Sequence, residues 1–219
     1  MSPFYDAALF DLDGTIVQSH PGIIGSVKKM LVDVGWQMPD GFDYTQFIGP
    51  PIFESLIRLA KMPAPLAEEG IIIYRKYYNA GEIFNGSVYP GIPELFSALR
   101  EQNVKVCVAT SKPEPMAERV LEHFGISPLL DCVCAADTSD KQSNKEELIL
   151  RALEICKVPK ARAVMIGDTR FDAKGAKIAG VDFIGAGYGY GSREEMEAFG
   201  LCGYVRCVPE LRPLLLPTP

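Results

Sequence analysis

Between residues 90 and 184 the chain alternates without interruption between segments that read as helices and segments that read as strands. No other feature restricts its fold as much. Pro90-Gly91 leads into a helical pattern over 92–101, then the apolar, β-branched run Val104-Lys105-Val106-Cys107-Val108-Ala109 and the turn Thr110-Ser111-Lys112-Pro113. A helix over 113–124 ends at Gly125; a short strand at 132–135 and a polar loop at 137–143 precede a helix over 144–156. A strand at 163–166, the loop Gly167-Asp168-Thr169-Arg170, a helix over 172–179 and a strand at 181–184 complete the series. Strands separated by helices must lie parallel, and right-handed crossovers place helices on both faces. The predicted class is α/β, a Rossmann-like doubly wound parallel sheet.

The N-terminal part reads differently. A short apolar strand at 7–10 is followed, from Thr15 to Gly86, by no strand signal. Ile23, Ile24, Val27, Met30, Leu31 and Val34 form one helical stripe closed by Gly35, a second helical stretch over 44–61 is broken at Gly49-Pro50-Pro51, and a third covers 65–78. We therefore expect a core of residues 1–16 plus 87–219 carrying an all-helical insertion, 17–86. With 219 residues and 47% hydrophobic content, both can be filled. The tail carries Gly185-Ala186-Gly187-Tyr188-Gly189-Tyr190-Gly191, read as a mobile turn at a site rim because no first βα unit surrounds it. A helix over 192–199 and a last apolar segment to Leu216 follow.

The net charge of −6 and the absence of Lys/Arg runs disfavour nucleic acid or anionic membrane as partner. The first six residues lack the pattern of a signal peptide and no run approaches ~18 apolar residues, so a cytoplasmic location is expected. The six cysteines contain no CxxC pair and only two histidines are present, so zinc spacing is missing. Cys107, Cys132 and Cys134 read as buried reduced thiols in strands, with a redox role as the alternative.

Chemistry collects at strand ends. Asp11 and Asp13 follow the first strand, Thr110 and Ser111 the second, and Asp168 the strand at 163–166; Lys145 falls in the first turn of a helix whose Ser143 and Glu146 have capping-box spacing. Buried carboxylates need a cation or donors, and in a parallel sheet ligands bind outside the carboxyl ends of the strands. Acids of this kind suit a hard ion such as Mg²⁺, while hydroxyls, turn amides and a lysine suit phosphate oxygens.

With Asp11-Leu12-Asp13-Gly14-Thr15, Thr110-Ser111-Lys112-Pro113, Ser143-Asn144-Lys145 and Gly167-Asp168-Thr169-Arg170-Phe171-Asp172 in order, the chain resembles the haloacid dehalogenase superfamily, in particular its phosphoglycolate-phosphatase-like branch with a helical cap. The resemblance implies a Mg²⁺-dependent phosphatase of a small phosphorylated metabolite, acting through an aspartyl-phosphate on Asp11. Asp13 would be the general acid and base, a role a free aspartate with pKa ~3.9 fills poorly unless its surroundings raise it. Mg²⁺ would be held by the Asp11 carboxylate, the Asp13 carbonyl and Asp168, with Thr15 and Asp172 in support; Thr110, the Ser111 amide and Lys145 would hold the phosphate.

Gly49 and Pro50 resemble the cap loop that selects the leaving group. Lys141 is the alternative to Lys145, and Gln18-Ser19 departs from relatives that carry an acid before that serine. Asp172 could instead cap its helix, and Thr110 and Ser111 the helix from 113. His20 reads as a helix-entry residue. A β-phosphoglucomutase-type phosphotransferase, or a catalytically weak regulatory protein, are the alternative functions; oligomeric state stays open.

Overall fold

The computed structural model describes residues 4–137 and 144–216. Among them, β1 (Ala7–Phe10) lies at the centre of a six-stranded parallel sheet, order β5-β4-β1-β6-β7-β8, with β4 (Lys105–Pro113), β5 (Cys132–Ala136), β6 (Ala163–Gly167), β7 (Asp182–Ala186) and β8 (Gly203–Val205). The reason β1 takes the centre is its composition: all four of its residues are fully buried, which only an interior strand covered on both faces allows. Ala7 and Leu9 enter one core with Cys107, Ala109 and Met165, while Ala8 and Phe10 enter the other with Val106, Val108, Val164 and Ile166.

From β1 the chain builds outward to β4 and β5, then returns to the other side of β1 with β6, β7 and β8. The order of winding reverses between β1 and β6, and the crevice at that point, beyond the carboxyl ends of the strands, is where such sheets bind ligands. Asp11 and Asp168 are the first residues after these two strands.

The helices take the expected places, with α4 (Ile92–Glu101), α5 (Glu114–His123), α6 (Lys145–Cys156) and α7 (Arg170–Ala179) connecting the strands. The helical insertion contains α1 (His20–Asp33), α2 (Ile52–Arg58) and α3 (Ala64–Asn79), with α1 packed along α3. Its stretch over 44–61 is a 3-10 turn at Tyr44–Phe47 and then α2, separated at Gly49-Pro50-Pro51 as the prolines demand.

Four details depart from the sequence reading. The stretch expected to lack strands opens with β2 (Val17–Gln18), which pairs antiparallel with β3 (Ser87–Val88); the insertion thus leaves and re-enters through one two-stranded ribbon. β8 adds an unexpected edge to the main sheet. Strands of two or three residues are too short to show periodicity. The predicted turn at 110–113 is instead the end of β4, with a register irregularity against β5 between Thr110 and Pro113. Asn144 is the N-cap of α6, whereas Ser143, Lys141 and the rest of 138–143 lie outside the described residues. A short helix, α8 (Arg193–Glu197), and α9 (Arg212–Leu215) close the chain. No helix among the described residues is long and apolar enough to cross a membrane.

Leu9→Ala removes a fully buried side chain from the central strand, where the neighbouring strands leave little room for collapse. It should cost about 2–5 kcal/mol. Urea unfolding should show a lowered midpoint at unchanged slope.

Candidate active site

The crevice collects one carboxylate from each of three elements. Asp11 follows β1, Asp168 follows β6 and Asp172 sits in the first turn of α7; oxygens of all three lie within 4.8 Å of one another, and all three residues are buried. Lys145, the first residue of α6, reaches across the sheet edge, with its Nζ 2.8 Å from Asp11 Oδ1, 2.8 Å from Asp172 Oδ1 and 3.0 Å from the Ala109 carbonyl. Asp168 accepts hydrogen bonds from the Thr15 hydroxyl (3.2 Å) and the Tyr190 amide (2.8 Å). Asp172 Oδ2 accepts from the Thr169 amide and hydroxyl at 3.0 and 2.7 Å. One oxygen of Asp172 thus caps its own helix while the other pairs with Lys145 in the crevice.

A second ion pair lies beside the first. Lys112 Nζ holds both oxygens of Asp13, at 3.0 and 2.9 Å, and donates to the Tyr78 hydroxyl at 2.7 Å. Lys112 belongs to β4, Tyr78 to α3 of the insertion and Asp13 to the loop after β1. One ammonium thus ties three chain segments together.

Electrostatics follows from burial. Asp11 is pushed up to about 6, because desolvation, aided by Asp172, outweighs the stabilising charge of Lys145. Burial, with Asp172 and Asp11 nearby, raises Asp168 well above the carboxylate range. Burial opposes the charge on Lys145, but Asp11 and Asp172 overcome it and raise its pKa. When all four carboxyls (Asp11, Asp13, Asp168, Asp172) are ionised they exceed the two ammonium groups (Lys112, Lys145) by two negative charges. All oxygen donors and a charge of minus two fit a hard divalent cation, with Asp11, Asp168 and Asp172 as the clustered donors.

These groups open into a cavity walled by both parts of the chain. Asp11, Asp13, Thr110, Ser111, Lys112 and Lys145 contribute from the core, and Phe47, Gly49, Pro50, Tyr74, Arg75 and Tyr78 from the insertion. Thr110 and Ser111 do not cap α5, whose N-cap is Pro113 without a side-chain bond; the Thr110 hydroxyl instead accepts from the Lys112 amide at 3.2 Å. Gly49 has φ +100°, a conformation that favours glycine, and a Cβ there would stand 3.3 Å from the Thr169 methyl. The insertion loop meets the core at that contact. His20 is the first residue of α1, as expected, with its amide donating to the Tyr190 hydroxyl at 3.2 Å.

Three contributors were missed by sequence reasoning. Lys112 and Tyr78 carried no local signal, being 34 residues apart in sequence. The glycine-rich segment was read as a rim turn, yet its Tyr190 amide binds Asp168, its Tyr188 hydroxyl donates to the Thr15 carbonyl at 3.1 Å, and a Cβ on Gly189 would lie 2.2 Å from Asp168 Cβ. The glycines allow backbone to press against a buried acid. Their clustering immediately after a strand was the available signal.

A doubly wound sheet whose central strands deliver carboxylates and a buried lysine to one cavity has the makings of a hydrolase. Comparison with known proteins names the family: a model described as haloacid dehalogenase-like hydrolase matches residues 8–186, and the chain belongs to that family. Tyrosine-protein kinase PtkA of Mycobacterium tuberculosis is 37% identical over 183 residues, 84% of this chain and 62% of that protein, so the match spans less than two thirds of that relative. A 5'-nucleotidase of Pseudomonas aeruginosa is 33% identical over 211 residues, 96% of each chain. The crystal structure of a predicted phosphatase from Clostridium acetobutylicum is similar with TM-score 0.87 and 36% identity, covering 94% of this chain and 96% of that one.

Gly189→Ala should displace Asp168 and weaken divalent-cation affinity about 10–100-fold, by analogy with other groups that orient metal ligands. Calorimetric titration would measure it. A divalent cation added to this cluster would bind its ionised carboxylates, so with Asp11 raised to about 6 the wild-type affinity should rise with pH through that value. Below it, the affinity should fall at least about tenfold per pH unit in the same titration.

Proposed function

We propose that this chain is a Mg²⁺-dependent phosphatase that hydrolyses a small-metabolite phosphomonoester through an aspartyl-phosphate on Asp11. The observation that carries the reading is the placement of Asp11: its carboxylate faces the cavity, held by Lys145 beside Asp168 and Asp172. Mg²⁺, held by Asp11, Asp168 and the Asp13 carbonyl with Asp172 and Thr15 in support, would offset the repulsion between a carboxylate nucleophile and a phosphate dianion.

The chain's own groups then divide the work. An Asp11 oxygen bonds to phosphorus as the ester P–O bond breaks; Asp13 donates its proton to the departing alkoxide. Water then attacks the phosphorus and gives its proton to the Asp13 carboxylate, releasing inorganic phosphate and regenerating Asp11. Lys145, the Thr110 hydroxyl and the Ser111 amide hold the phosphoryl oxygens as charge develops on them. Asp13 is clamped at both oxygens by Lys112, so its turn toward the leaving group requires that clamp to loosen.

Residues 17–86 serve in this reading as a cap. They supply Gly49, Pro50 and the Tyr74–Tyr78 stack, whose ring centroids are 5.5 Å apart, to the part of the cavity where the leaving alcohol would lie. Closing the cap excludes bulk water. The relatives named 5'-nucleotidase and phosphoglycolate phosphatase support a phosphorylated small molecule as substrate. The relative named a tyrosine-protein kinase supports a second reading, in which an acceptor other than water takes the phosphoryl group from Asp11.

Phosphate release from p-nitrophenyl phosphate should require Mg²⁺, stop in excess chelator and vanish in Asp11→Asn; turnover surviving that substitution would sink the mechanism. Asp13→Asn should lower kcat about 10²–10⁴-fold. Lys145→Ala should abolish turnover while Lys141→Ala retains it. A panel of phosphate esters ranked by kcat/KM names the substrate class, and transfer of phosphate to an added acceptor in place of release selects the second reading.

A further inference from the structure

Away from the acids, four of the six cysteines converge. Cys107 on β4 and Cys132 on β5 are direct register partners in adjacent parallel strands, so their side chains leave the same face of the sheet. Cys134, two residues beyond Cys132, shares that face. Helix α6 covers the face, and its last residue, Cys156, completes the group: its Sγ is 3.3 Å from that of Cys107 and 3.7 Å from that of Cys132. The sulfurs of Cys107, Cys132 and Cys156 all lie within 4.8 Å of one another.

Buried cysteines often serve as small apolar side chains, and Cys134 fits that role. The other three differ in that their polarisable atoms point at one another and not into separate holes, and Cys132 and Cys156 are only half-buried, which gives an ion a path from solvent. Two thiolates bound tetrahedrally to one zinc ion, each at about 2.3 Å, lie roughly 3.8 Å apart. The separations of 3.3 and 3.7 Å fall a little below that value, and the third is under 4.8 Å. Among the described residues no carboxylate or imidazole belongs to the group, so its donor set is soft and unsuited to Mg²⁺ or Ca²⁺.

From this juxtaposition of three thiols, contributed by β4, β5 and the end of α6, we propose a binding site for one thiophilic d¹⁰ cation of the Zn²⁺ type. The ligands are the Cys107, Cys132 and Cys156 thiolates, each of which gives up a proton to solvent as its bond to the ion forms. Spacing along the sequence could not reveal it, since the ligands are 24 and 25 residues apart. Helix α6 runs from Lys145 at the acids to Cys156 at the thiols, so the bound ion pins to the sheet the far end of the helix that carries Lys145.

The test uses reduced protein freed of metal, in excess Mg²⁺ so that the acidic site is saturated, titrated with Cd²⁺ and with Zn²⁺. Wild type should retain one ion per chain, develop the ultraviolet charge-transfer absorbance of cadmium thiolate, and release protons. The ion should also shield Cys132 and Cys156 from alkylation by N-ethylmaleimide, read by mass spectrometry. Cys156→Ser should lose the stoichiometric ion and the absorbance, while Cys202→Ser and Cys207→Ser, at exposed cysteines outside the group, should keep both. Cys132→Ser repeats the loss at a second half-buried position should Cys156→Ser fail to fold. Wild-type protein that binds no ion under these conditions, alkylates equally with and without it, or binds it undiminished in Cys156→Ser overturns the site.

Discussion

The ammonium of Lys145, lodged between Asp11 and Asp172, is the interaction on which the site depends. Three carboxylates cannot be brought within 4.8 Å of one another in a buried crevice on packing energy alone, because each loses its hydration and repels the others. Lys145 offsets part of that cost by pairing with two of the three carboxylates. The elements around the crevice follow from this requirement: α6 must begin where its first side chain reaches the end of β1, and α7 must begin where Asp172 can face both its own N-terminus and the lysine.

A second ammonium, on Lys112, applies the same physics to a different task. By holding Asp13 and the Tyr78 hydroxyl together it links the loop after β1 to the helical insertion. The insertion enters and leaves through the β2–β3 ribbon, which the chain joins within a few residues of Asp13. Position of the insertion and orientation of Asp13 are therefore mechanically connected at two places. On the opposite side of the crevice, the glycine-rich segment closes over Asp168 with backbone instead of side chains, and its tyrosines reach back to Thr15 and His20.

Much of this was legible in the amino-acid order. The strand at 7–10 and the helix at 92–101 were expected with the boundaries the structure shows, because a continuous apolar run and a strong apolar stripe are local signals. Asp11, Asp13, Lys145 and Asp168 lie at one crevice, as a parallel sheet that sends its strand ends to one edge leads one to expect. The partners of those residues were hidden. Lys112 and Asp13 are 99 residues apart, Tyr190 and Asp168 are 22 apart, and none of these contacts leaves a periodic trace. Cys107 and Cys132 lie on strands far apart in the sequence and each alone looks like a core position, while Cys156 ends a helix.

The sequence by itself determined the α/β class, the helical insertion and the set of acids at the strand ends, since each follows from patterns within a few turns or strands of chain. Only the tertiary structure decided which cation neutralises which acid, that a loop of glycines braces Asp168, and that three strand and helix cysteines share one point in space. Hydrophobic periodicity is a short-range property, whereas charge compensation and sulfur proximity depend on where distant segments meet once the sheet is assembled.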